Sequence, residues 1–146
     1  DPAAAESFGE LAVVRDAPTY ERFANDIAPG LTRGDRKAQA RITASYALAE
    51  PPESGRGPAF AAPTPIVTGR QDTCAGYRDQ LALLDHYPHA TFTVLDTASH
   101  NAQIERPEAV AALVDDWLER VGVEAGWEGG WRHEHRANKT PFITIR

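Results

Sequence analysis

Pro63-Thr64-Pro65-Ile66-Val67-Thr68-Gly69-Arg70-Gln71-Asp72 is the stretch on which the fold turns. Pro65 to Gly69 is a short β-branched run closed by glycine, the pattern of a strand buried in a parallel sheet. Tyr77 to Tyr87 follows with Leu81, Leu83, Leu84 and Tyr87 at helical spacing, and Pro88 stops it. Thr91 to Asp96 is rich in β-branched and apolar residues and predicts a second strand. Pro107 to Val121 predicts an amphipathic helix. Proline stands in its first turn, Glu108 comes early, and Val110, Leu113, Val114, Trp117, Leu118 and Val121 share one face. Strand, helix, strand, helix implies right-handed crossovers and an α/β parallel sheet covered on both faces. Two strands are too few to complete such a sheet.

In open α/β sheets the catalytic groups lie beyond the C-terminal ends of the strands, where the loops open into one crevice. Asp72 stands three residues past Gly69, and His100 four past Asp96 in Asp96-Thr97-Ala98-Ser99-His100-Asn101. If the strands are neighbours, the carboxylate can accept the proton of one ring nitrogen. The other nitrogen is then free to take a proton from a hydroxyl or a water.

The block Pro63 to Asp72, then Ser99-His100-Asn101, then Glu105-Arg106-Pro107-Glu108 resembles the C-terminal half of the α/β-hydrolase superfamily. That half runs strand, Gly-x-x-Asp, helix, strand, (Gly)-His, and then Glu-x-Pro opening the last helix. The resemblance implies an α/β fold holding the C-terminal part of the hydrolase sheet with flanking helices. It makes Asp72 the triad acid and His100 the base of a hydrolase acting on an ester-like small molecule, with no cofactor and no metal. The helices of the first part then correspond to part of the lid inserted before these strands.

The sequence departs from the family pattern twice. Ser99 stands where glycine usually precedes the histidine, so the loop is expected to be slightly reshaped. The nucleophile elbow, Gly-x-Ser-x-Gly, is absent; Ala5-Glu6-Ser7-Phe8-Gly9 lacks the first glycine, follows no strand and continues as a helix. The loop that supplies the oxyanion hole is missing with it. The isolated chain is therefore expected to be inactive, needing a complementary N-terminal half to bring a serine or aspartate nucleophile, while the exposed edges of a partial sheet would be covered by that half or by a second copy of the chain. The alternative is a non-catalytic remnant, or a binding or assembly module of the same fold.

Around this centre the chain divides into residues 1–49, lid-like helices; 50–62, a linker; 63–121, the hydrolase-like portion; and 122–146, an atypical tail. Phe8, Leu11, Ala12 and Val14, then Tyr20, Phe23, Ala24 and Ile27, predict two helices interrupted at Pro18-Thr19, the second closed by Pro29-Gly30. Arg33 to Leu48 predicts a third, with Ile42, Tyr46 and Leu48 on one side. The linker region, Glu50 to Pro65, holds five prolines and two glycines.

The 146 residues, 42% hydrophobic, supply one ordinary core. With 21 acidic against 15 basic residues, a net charge of -6 and no basic cluster outside the tail, nucleic acid is not an expected partner. No apolar run reaches the roughly 20 residues of a membrane span. One cysteine excludes an internal disulfide and suits a reducing, cytoplasmic setting. The arginine and alanine bias suggests a GC-rich bacterial source, and the absence of methionine suggests that the chain begins inside a longer product.

Other candidate groups read more plainly. Cys74 follows the acid by two residues at a helix entry, a poor place for a nucleophile paired with His100. His86 and His89 flank a helix end, where a cation complements the dipole. His133 and His135 have no third metal ligand at a recognisable spacing. Trp117 reads as core, Trp127 and Trp131 as an exposed anchor for a partner, and Tyr77 and Gln80 as residues able to line a pocket near Asp72.

Overall fold

The computed structural model describes residues 2–54 and 59–124. The expectations for Trp127, Trp131, His133, His135 and the strand-like end of the tail lie outside them. Strands β1 (Thr64–Gly69) and β2 (Ala90–Leu95) pair in parallel, from Thr64 opposite Ala90 to Gly69 opposite Leu95. Because the two strands end level, the loops carrying Asp72 and His100 leave the same edge.

The expected helix between the strands is two pieces, α5 (Tyr77–Leu81) and a tighter 3₁₀ turn, Ala82–His86. Pro88 is the cause. It drives the residue before it out of the helical region, and Tyr87 accordingly adopts φ -127, ψ 75 while its N–H turns back to the Leu84 carbonyl. A short helix that sequence periodicity did not reveal, α6 (Ala102–Glu105), precedes α7 (Pro107–Glu124). Along α7, Trp117 donates its indole N–H to the Pro63 carbonyl at 2.8 Å, and Arg120 reaches Thr91 and the His89 carbonyl at 2.5 Å each. These polar clips hold the last helix to the start of both strands.

The N-terminal helices are α1 (Pro2–Leu11), α2 (Ala17–Arg22), α3 (Ala28–Arg33) and α4 (Arg36–Ala44). Pro18 does not interrupt two helices but sits in the first turn of α2, where its missing N–H costs nothing, behind an Asp16 cap that accepts from the Thr19 N–H at 2.8 Å. Nor does Pro29-Gly30 close a helix. The chain passes through a π-helical turn, Phe23–Ile27, and Pro29 opens α3 just beyond it. The wider turn ends with the Ala28 N–H on the Phe23 carbonyl, so the ladder is re-registered where proline has no N–H to offer.

Phe23 is fully buried, with Phe8 5.4 Å away, ring to ring; Phe8 also meets Tyr20 edge-on at 5.2 Å. Ala4, Ala12, Ala28 and Ile104 complete this cluster. Ile104 belongs to α6, so the helical layer packs directly against the segment following His100. By contrast, Ile66, Val67, Phe92 and Val94 are only half-buried, although parallel strands are ordinarily covered on both faces. Helix α4 buries nothing among the described residues, with Ile42 61% exposed, and it ends at Ala44, so Tyr46 and Leu48, 81% and 67% exposed, lie beyond the helix expected to reach them. The linker is pinned where it passes Tyr87, which donates to Glu53 at 2.8 Å and stacks edge-on with Phe60. Among the described residues no helix is long and apolar enough to cross a membrane.

Candidate active site

Asp72 turns back immediately after β1. Its Oδ1 accepts the N–H groups of Cys74 at 2.7 Å and Ala75 at 3.0 Å, a local turn that fixes the carboxyl plane. Its Oδ2 then faces Nδ1 of His100 at 3.2 Å. The Asp72 side chain is only 7% exposed, whereas the imidazole is 53% exposed. Burial works against the charge on Asp72 and is the largest influence on it; the N–H groups of Ala75 and Cys74 and the imidazole outweigh it and hold the carboxyl below its ordinary 3.8. Asp72 is therefore the ionised acceptor, so the tautomer that satisfies the contact has the proton on Nδ1 and leaves Nε2 of the neutral ring as the acceptor. That is the tautomer a general base requires.

The loop bearing His100 can come this close because residue 69 has no side chain. A Cβ there would lie 2.4 Å from the Ser99 carbonyl oxygen and 2.5 Å from that of Ala98. Both are backbone atoms that cannot swing away. Gly69→Ala is expected to push the loop off the end of β1 and part His100 from Asp72, destabilising the fold by about 1–3 kcal/mol. Thermal unfolding, together with loss of the NMR signal of a hydrogen-bonded Nδ1 proton, checks this. Gln71 fastens the same loop from the other side: its amide donates to Asp96 Oδ1 at 2.8 Å, and its carbonyl accepts the Ala98 N–H at 3.3 Å. Between them Thr97 takes φ 57, a conformation costly for a β-branched residue and therefore one the surrounding bonds must enforce.

Behind the histidine lies a group that sequence reading treated only as part of a helix-opening motif. Glu105 is 6% exposed, and four donors converge on its carboxylate. Oε1 accepts the backbone N–H groups of Val13 at 2.6 Å and Val14 at 3.0 Å; Oε2 accepts the Ser99 N–H at 2.5 Å and its hydroxyl at 2.7 Å. One side chain thus ties the segment between α1 and α2 to the residue just before His100. The departure at Ser99 acquires a reason here, because glycine would lose the hydroxyl bond. No periodicity signals such a contact, which spans 92 positions of the chain.

A crystal structure of an α/β superfamily hydrolase from Oenococcus oeni PSU-1 superposes on 84% of this chain with a TM-score of 0.76, at 24% identity. The chain has the α/β-hydrolase fold. It spans 45% of the length of that structure, in keeping with a part of the α/β-hydrolase sheet and not the whole. No family model matches the sequence, and no curated protein matches it.

Asp72 and His100, the two residues expected to face one another from neighbouring loops, are in contact at 3.2 Å. Cys74 stands beside them with its thiol exposed. Ser7 lies inside α1 and is no elbow. Gln80 folds its amide towards the Ala75 carbonyl at 3.4 Å, and Tyr77 carries the Arg78 guanidinium over its ring. His86 ends the 3₁₀ turn, and the His89 carbonyl is taken by Arg120.

Proposed function

We propose that this chain provides the acid and base of an α/β-hydrolase-type triad acting on an ester-like small molecule, with the nucleophile supplied by a complementary N-terminal half. The observation that carries the reading is the contact between the buried Asp72 carboxylate and Nδ1 of the open imidazole of His100. In this reading the nucleophile's hydroxyl passes its proton to Nε2 as its oxygen attacks the ester carbonyl, and Asp72 stabilises the imidazolium. Nε2 then returns the proton to the departing alcohol. Water repeats the exchange, releasing the acid and restoring the nucleophile. The half-buried strands β1 and β2 support the need for a partner, since that sheet has faces left to cover.

The test is to purify the native protein, treat it with a fluorophosphonate, and map the label by mass spectrometry. A labelled serine on a segment outside the 146 residues is expected, together with no ester turnover by the chain alone. Full esterase activity from the 146-residue chain with no second polypeptide present would overturn the reading. If His100→Ala leaves every measurable property of the assembled protein unchanged, the chain is a binding or assembly module instead.

A further inference from the structure

We infer that Asp72, Cys74 and His100 together form a binding site for a borderline divalent cation of the zinc(II) type. Each offers one ligand atom, and the three atoms all lie within 4.8 Å of one another. A carboxylate oxygen, a thiol sulfur and an imidazole nitrogen are the donor set that zinc selects, at about 2.0–2.3 Å from the metal. Harder cations such as magnesium and calcium prefer oxygen alone.

Two of the donors are already held in place. The Cys74 and Ala75 N–H groups occupy Asp72 Oδ1 and leave Oδ2 pointing at the ring, an outer-shell arrangement of the kind that orients a metal-bound carboxylate. His100 is placed by the Ser99 to Glu105 bonds and by the close pass over Gly69. Cys74 is exposed, so its side chain can turn inward to shorten the remaining gap. Binding at Nδ1 displaces the proton that faces Asp72, which the neutral imidazole then carries on Nε2 instead, and releases the thiol proton to solvent. The carboxylate and thiolate charges together neutralise the cation. Three protein ligands leave a fourth position for water. A cation seated here fixes the imidazole that the proposed chemistry needs free, so the site would switch that chemistry off. The binding itself does not depend on the hydrolase reading.

The experiment titrates zinc(II) and cobalt(II) separately into the full 146-residue chain with its thiol reduced, following heat by calorimetry and, for cobalt, the thiolate charge-transfer absorbance. One equivalent and a thiolate band are expected. Removing an outer-shell partner alone weakens metal sites by about 10–100-fold, so Cys74→Ser and His100→Gln are each expected to weaken binding at least about tenfold. A variant carrying His86→Gln, His89→Gln, His133→Gln and His135→Gln is expected to bind as the parent does. The inference is overturned by the lack of a thiolate band, by unchanged affinity in Cys74→Ser, or by loss of binding in the four-histidine variant. Circular dichroism of each variant keeps misfolding from passing as loss of a ligand.

Discussion

Glu105→Ala is expected to cost about 3–5 kcal/mol of folding stability, out of the roughly 5–15 kcal/mol that a domain commonly has. The carboxylate is 6% exposed and takes every one of its hydrogen bonds from a donor, two at each oxygen. Truncation leaves the N–H of Ser99, itself 3% exposed, without a partner at a site with little water, and frees the Val13 and Val14 N–H groups. An orphaned buried donor costs about 1–3 kcal/mol, and bonds to a charged group are the stronger kind.

Glu105→Gln separates shape from charge. An amide has one accepting end. Turned towards Val13 and Val14, it faces Ser99 with an NH₂ group, which the hydroxyl can accommodate by rotating but the backbone N–H cannot. Turned the other way, it opposes two N–H groups at once. The loss expected for glutamine is about 2 kcal/mol, smaller than for alanine but not negligible. Urea unfolding of the three proteins checks the order; a glutamine variant as stable as the parent would show that volume, not the acceptor pattern, holds the segment.

The strands, the last helix and the pair Asp72 with His100 could be read directly from the sequence because each is a local pattern. A β-branched run closed by glycine and a proline-opened amphipathic helix both declare themselves within a few residues. The position of Gly69 was visible too, but not its reason, since that lies in the carbonyls of Ala98 and Ser99. What escaped were contacts made across the chain: Glu105 reaching Val13, Gln71 clasping Asp96 and Ala98, and Ile104 completing a core built otherwise from the first 28 residues. The placing of Pro18 and Pro29 went astray for a related cause. Proline signals a boundary without saying on which side of it the helix lies, and in α2 and α3 it marks the start.

On the proposed reading, Asp72→Asn in the assembled protein is expected to lower kcat/KM for ester hydrolysis about 10⁴-fold while leaving the chain folded. The asymmetry of the two carboxylate oxygens makes this a sharp test. Oδ1 is committed to the Cys74 and Ala75 N–H groups, so the amide oxygen takes that place and the turn survives. The amide nitrogen must then occupy the Oδ2 position, facing Nδ1 of His100. There it is a donor. The ring answers by accepting at Nδ1 and moving its proton to Nε2, the wrong tautomer for taking a proton from a nucleophile. The carboxylate that would have stabilised the imidazolium is lost as well. His100→Ala removes the base outright and is expected to fall to a similar floor, and the double variant should fall no further, because the two groups act as one unit. Rates on a 4-nitrophenyl ester, with unfolding midpoints alongside, decide it. A loss below about tenfold in Asp72→Asn at unchanged stability would mean that the contact with His100 organises the loop and takes no part in moving the proton.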